Sequence, residues 1–162
     1  MEDLKFSDSY IERRTRVLAG LSSAALVVPA AQRHLRNNDV HHAFRQDSNL
    51  YYLTGLEEEN SVLLLLGGQN PKSILFVMPK DPVRETWDGF RFGPERAKEI
   101  FGVDEAYSIA DFKVKAPALL SNFETIYYTF YTYSEFDRSM DEVLVKVREL
   151  RKRLSPPAPQ II

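Results

Sequence analysis

The residues best able to do chemistry lie in one run, RNNDVHHAFRQDSNLYYLTG, at positions 36–55. It gathers Asp39, Arg45, Gln46, Asp47 and Asn49 ahead of Tyr51 and Tyr52, then closes on Leu53, Thr54 and Gly55. Carboxylates, guanidinium groups and amides at this density offer charge-assisted hydrogen bonds to a polar ligand or a neighbouring surface. Such density marks a loop, yet this loop feeds the most apolar run of the chain, residues 61–67. A polar loop anchored on a core strand is fixed in place, and fixed polar loops present groups to something. From the residues alone, Asp39 is a turn or cap aspartate. For Arg45, Gln46, Asp47 and Asn49 three readings stay open: they hold the loop by internal hydrogen bonds, contact another domain or subunit, or touch a ligand. Tyr52, with Tyr51 and Leu53, reads as core or interface.

Trp87 is the only tryptophan. Its ordinary reading is a partly buried packing residue with a satisfied indole donor. Arg84 and Arg91 bracket it; in a cleft they would meet a peptide carboxylate, and otherwise they lie exposed. No catalytic residue is expected within the chain. It has three histidines, His34, His41 and His42, and lacks a His-Glu-x-x-His helix, so no metal site is expected either. No serine sits in a Gly-x-Ser-x-Gly elbow, and Gly67-Gly68 lacks the lysine and hydroxyl of a phosphate loop.

Composition narrows the classes further. Lys plus Arg number 21 against 23 Asp plus Glu, a formal net charge of -2, which argues against nucleic acid. The chain has no cysteine, which fits a reducing cytosol. Residues 24–29 and 62–66 are far too short to cross a bilayer, so a cytoplasmic protein without membrane contact is expected.

Elements must position these groups. Ser9 and Glu12 match a capping box, and apolar positions predict a helix over 10–21 with Arg13, Arg14 and Arg16 on its solvent side. Residues 24–29 read as a buried strand ending at a proline. Residues 48–52 are a helical turn or strand start. Residues 62–66 and 73–78 form a hairpin across Gly67-Gly68. Trp87-Asp88-Gly89 reads as a turn, and Pro94 opens a helix that ends at Gly102. Residues 106–109 read as a short strand. Asp111 caps a segment to about residue 120 despite Pro117, and residues 125–131 are the most β-prone run. A last helix begins at Asp137, with Met140, Val143, Leu144, Val147, Leu150 and Leu154 on one face. Helices alternating with strands give an α/β fold of three layers, and the hairpin makes its sheet mixed.

Residues 36–66, RNNDVHHAFRQDSNLYYLTGLEEENSVLLLL, resemble the N-terminal domain of the Xaa-Pro aminopeptidases (aminopeptidase P), relatives of prolidase and creatinase. The likeness continues through ILFVMPKDPVRETWDGFRFGPERAKEIFGVDEAYSI, residues 74–109, which is similar to the family's E-x-W-x-G-x-R-x-G and GVD-x-A segment. The resemblance implies a roughly six-stranded mixed sheet with helices on both faces. It implies that residues 1–154 are the N-terminal domain and that 155–162 begin a linker to a C-terminal metallopeptidase domain absent from this chain. Two divalent ions, by resemblance manganese, would bind in that absent domain.

The family roles fall on Asp39, bordering the N-terminal end of a proline-containing peptide in a neighbouring subunit's site, and on Trp87, an apolar wall of the cleft. Arg45, Gln46, Asp47, Asn49, Tyr52 and Arg91 would support these or form an interface. Expected partners are the enzyme's own catalytic domain and further copies in a dimer or tetramer. A prolidase N-terminal domain and a peptidase-like binding module without catalysis are the alternatives. The chain departs from the family at Glu57-Glu58-Glu59-Asn60, where a proline is usual, and at Asp88, where bulkier residues are common.

Overall fold

Five apolar residues in a row, with no polar alternation, need cover on both sides. Val62–Leu66 (β4) is buried at every position. The computed structural model describes residues 3–33, 35–37, 40–41, 43–154 and 159–162. In it β4 lies within a sheet that also contains β1 (Ala24–Pro29), β5 (Lys72–Val77), β6 (Glu105–Ser108), β7 (Thr125–Tyr127) and β8 (Gln160–Ile161). The order is β6-β5-β4-β1-β7-β8, a six-stranded mixed sheet as expected. Only β4 runs against the rest, antiparallel to β1 and β5, while the β5–β6, β1–β7 and β7–β8 pairs are parallel. The other five strands therefore point their carboxyl ends at one edge. The β4–β5 turn requires glycine at its start, since a Cβ on Gly67 would stand 2.6 Å from the Ser22 carbonyl oxygen.

Helices cover both faces. On one, α1 (Asp3–Leu21), α2 (Ser48–Thr54) and α4 (Pro94–Phe101) pack on Val28, Leu63, Leu65, Leu75 and Val77. On the other, α5 (Phe112–Leu120) and α6 (Ser134–Leu154) pack on Ala25, Val27, Leu64, Ile74 and Phe76. The helix between β5 and α4, α3 (Pro82–Asp88), buries none of its described side chains. A separate hairpin pairs β2 (Leu35–Asn37) with β3 (Val40–His41).

Each helical layer is closed by one buried arginine. Arg14 is 2% exposed. It donates to the Leu53 carbonyl at the end of α2 (2.8 Å) and to the Phe101 and Gly102 carbonyls at the end of α4 (2.6 and 2.8 Å). The last carbonyls of a helix lack intrahelical donors and carry the negative end of its dipole, so a cation there satisfies both deficits. Burial lowers the Arg14 pKa to about 10, with the Asp104 charge opposing it, so the group stays charged at neutral pH. On the far face Arg151 donates to the Ser121 and Phe123 carbonyls (2.7 and 2.8 Å) just past α5.

Several local expectations change. The first helix begins at Asp3, so Ser9 and Glu12 lie inside it and form no capping box. Arg14 is not on the solvent side, because it continues the inward row of Tyr10, Val17, Leu18 and Leu21. Trp87 and Asp88 end a helix instead of turning the chain, because Asp81 Oδ1 accepts the Val83 and Arg84 N–H groups (3.2 and 3.1 Å) and Pro82 needs no donor. Asp111 makes no side-chain cap bond. Pro117 sits within α5, and the Lys113 carbonyl that its missing N–H would have engaged accepts Lys146 Nζ at 3.2 Å. The β-prone run stops at Tyr127, since Tyr128 turns its hydroxyl to Asp137 Oδ1 (2.6 Å) and Tyr131 N–H bonds Oδ2 (2.9 Å). Asp137 thus lies in the first turn of α6, which starts at Ser134. Within the expected linker, Gln160–Ile161 pairs with β7 as an edge strand.

The arginine clamp is testable by urea unfolding. Arg14→Met leaves three helix-end carbonyls without their donor, and an expected loss of about 3 kcal/mol follows from the usual cost of buried unsatisfied acceptors. The exposed neighbour Arg16, changed to Met, should shift stability by less than about 0.5 kcal/mol. Equally small losses for both variants would contradict the clamp.

Candidate functional site

The polar run reaches the carboxyl edge of the sheet through Gln46. A primary amide can accept and donate at once, and Gln46 does both while buried. Its Oε1 accepts the N–H of Ala31, just beyond β1, and of Asp47, each at 2.9 Å, and its Nε2 donates to the Glu58 carbonyl at 2.9 Å. Asp47 caps α2: Oδ1 accepts the Asn49 and Leu50 N–H groups at 2.9 and 3.0 Å. Its Oδ2 accepts the Tyr133 hydroxyl at 2.7 Å. Burial, then this bond to Asp47, push the Tyr133 phenol up to about 12.

Internal hydrogen bonding therefore accounts for Gln46 and Asp47. Arg45 and Asn49 remain exposed. Asn49, Asp47, Tyr52 and Tyr133 line a groove of about 520 Å³. Arg45 and Tyr52 line a neighbouring hollow of about 590 Å³. Tyr52 is 53% exposed, with the Arg13 guanidinium 4.5 Å from its ring centroid. It is a surface residue rather than core.

Trp87 stands elsewhere, on α3, and is 87% exposed, not partly buried. Val83, one turn earlier on the same face, and Phe90 beyond the helix are exposed too. A short helix made by an aspartate cap and an N1 proline can form without burying its apolar side chains, and that is what leaves Trp87 out. Arg91, by contrast, is buried, and its carbonyl accepts Lys80 Nζ at 3.0 Å.

Sequence reading missed Glu58. Three glutamates in a row look like a solvated surface, yet Glu58 is 8% exposed. The signal was the alternation of an extended segment, in which Leu56 and Glu58 point inward while Glu57 points out. Glu58 Oε1 accepts the Phe92 N–H at 3.1 Å. Burial raises its pKa above the ordinary glutamate value; backbone hydrogen bonds from Phe92 and Met78 and the Arg91 charge oppose this, and Glu85 adds to it.

The site residues thus form two groups. Arg45, Gln46, Asp47, Asn49 and Tyr52 surround the start of α2, and Trp87 with Arg91 surround the end of α3. Glu58 joins them, through its carbonyl to Gln46 and its carboxylate to Phe92. Asp39, like His34 and His42, lies outside the described residues. Among the described residues no three of His, Cys, Asp and Glu converge to hold a metal ion. Nor is any described helix long and apolar enough to cross a membrane. What the edge offers is recognition: carboxylates, amides, an exposed indole and exposed phenol rings.

Comparison with known proteins gives this surface a context. Residues 10–127 match the family described as aminopeptidase P, N-terminal domain. The Xaa-Pro aminopeptidase of Haemophilus influenzae is 40% identical over 145 residues, covering 88% of this chain and 34% of that protein. Human Xaa-Pro aminopeptidase 3 is 36% identical over 125 residues, 74% of this chain and 24% of the relative. Zinc-substituted Escherichia coli aminopeptidase P in complex with product superposes with a TM-score of 0.89 at 28% identity, covering 96% of this chain and 36% of that one. The Yersinia pestis proline aminopeptidase P II gives 0.87 at 30% identity, over the same shares of each chain. The chain spans about a third of the length of the H. influenzae relative (34%). It belongs to the aminopeptidase P family, of which it is an N-terminal domain.

Proposed function

We propose that these residues serve a metal-dependent Xaa-Pro aminopeptidase, an enzyme that releases the N-terminal residue preceding proline, as a non-catalytic domain that limits access to its cleft and supports its oligomer. The observation that carries this reading is Trp87, 87% exposed on a helix with no buried described side chain. An indole left in water in this way is a surface that a second body would cover. The helix begins at the carboxyl edge of the sheet, just after β5, and β8 also ends at that edge. Polypeptide continuing past Ile162 would leave on the same side as Trp87.

Covered by a catalytic domain, the indole would exclude water beside a proline ring, and polar contacts strengthen where water is excluded. Asp39, by its position in the family motif, would meet the free ammonium of the peptide and so distinguish a chain terminus from a chain interior. Divalent ions, manganese by resemblance, would activate the attacking water. By resemblance, their ligands would come from a C-terminal domain beyond these residues. A cysteine-free chain suits a cytoplasmic setting.

Two measurements test this. A protein that carries these residues followed by a catalytic domain should release the first residue from Xaa-Pro peptides longer than a dipeptide, and a chelator should abolish release. Residues 1–162 alone should release none; metal-dependent release by the pure 162-residue chain, or cleavage of dipeptides only, would contradict the reading. In the longer protein, Trp87→Ala should lower kcat/KM about 10- to 100-fold through lost positioning. Because Trp87 is exposed, stability should stay within about 0.5 kcal/mol. Unchanged kinetics would remove Trp87 from the cleft.

A further inference from the structure

A helix with none of its described apolar side chains in the core must be held by polar contacts, and α3 has three holds. At the start, Asp81 caps it. Lys80 Nζ bridges from Glu85 Oε2 to the Arg91 carbonyl, each at 3.0 Å. Beyond Gly89, which has φ +93, the chain is fixed where Glu58 Oε1 accepts the Phe92 N–H at 3.1 Å. In the Lys80 bridge the lysine is half-exposed while Glu85 is not, and an ion pair open to water on one side fixes less than a shielded one. Glu58 is buried and its bond to the Phe92 N–H is part-buried, and a carboxylate accepting a backbone N–H where water is scarce is among the stronger contacts a loop can have.

Glu58 is itself held through its backbone. Its carbonyl accepts Gln46 Nε2 at 2.9 Å and the Ser61 hydroxyl at 3.0 Å. The next strand, β4, is the most deeply buried in the sheet. On the other side, Phe92 packs edge-on against Phe101 and Phe90, both at 5.0 Å between ring centroids. The Glu58 carboxylate thus connects the rigid core and the Gln46 loop to the segment that carries Trp87.

We propose that Glu58 is the positioning residue for Trp87: by accepting the Phe92 N–H it fixes the end of α3, and with it the direction in which the indole is presented. The consequence for catalysis rests on the reading that Trp87 borders a substrate cleft; the tether itself does not.

Nitrogen-15 relaxation on the 162-residue chain tests the tether directly, and the single tryptophan gives one indole signal to follow. In the unaltered chain the Phe92 and Trp87 backbone order parameters should lie near the rigid value of about 0.85, and in Glu58→Ala they should fall below about 0.6. Glu58→Gln retains an oxygen at the same reach and should keep both rigid, whereas Glu58→Met, which fills similar space without an acceptor, should loosen both as Ala does; a purely space-filling role would leave the Met variant rigid. If Glu58→Ala does not fold, Glu58→Asp, which keeps the charge but withdraws the oxygen, should show the same loosening. A folded Ala or Asp variant with unchanged order at both positions would overturn the proposal, as would a Gln variant as loose as Ala. In the longer enzyme, Glu58→Ala should lower kcat/KM for Xaa-Pro peptides and Glu58→Gln should restore most of it. A loosened tryptophan with unchanged kinetics would keep the tether and overturn the placing of Trp87 at a cleft.

Discussion

The helical layer formed by α1, α2 and α4 depends on a single guanidinium. Arg14 is taken out of water, which is costly for any ion, and it is tolerated because three helix-end carbonyls need what it supplies. Hydrophobic burial alone would hold these helices against the sheet without fixing where each one stops. Directional bonds from one buried group to the ends of α2 and α4 set those stops together. Arg151 performs the same task beyond α5 on the opposite face. The result is a sheet covered on both faces, with the ends of α2 and α4 and the segment just past α5 satisfied by buried arginines.

The carboxyl edge of the sheet is organised in polar steps. Gln46 joins the exit of β1 to the loop before β4, Asp47 starts α2 and reaches Tyr133, and Glu58 passes the connection on to Phe92. Each residue in this sequence of contacts is an acceptor or donor to another segment, with the Gln46–Glu58 bond fully buried. Such a frame fixes where the exposed groups around it stand. It also explains why the polar tract and the tryptophan segment, far apart in sequence, belong to one surface.

Much of this was legible in the sequence, and the limits have physical causes. Buried runs with unambiguous patterns, such as Val62–Leu66, Lys72–Val77 and the face of α6, announce themselves because burial dictates residue type. Gly102 and Pro94 marked the bounds of α4 because backbone geometry restricts what can stand there. The helix carrying Trp87 was illegible, because it lacks the buried face that periodicity detects; only Asp81-Pro82 pointed to it. Arg14 was read as solvated because charged residues usually are, and Glu58 was not singled out for burial at all. Their burial depends on partners 31 or more residues away, Leu53 and Phe101 for the first and Phe92 for the second, which no local window contains. Tyr133 and Asp47 lie 86 residues apart and are brought together only by the tertiary fold. The family motifs located the important segments, while the division between frame and presented surface emerged from the contacts.

The account's core claim is a contrast: α2 and α4, closed by Arg14, are part of the cooperative core, whereas α3 is a presented element held only at its ends. Native-state hydrogen exchange measures that contrast residue by residue. Amides in the later turns of α2 and α4 should exchange only through openings close to global unfolding. Those of α3 should exchange through far smaller openings, with the Phe92 amide, bonded to Glu58, protected well above the α3 amides that precede it. Amides of α3 as slow as those of α4, or a Phe92 amide as fast as its neighbours, would contradict the account.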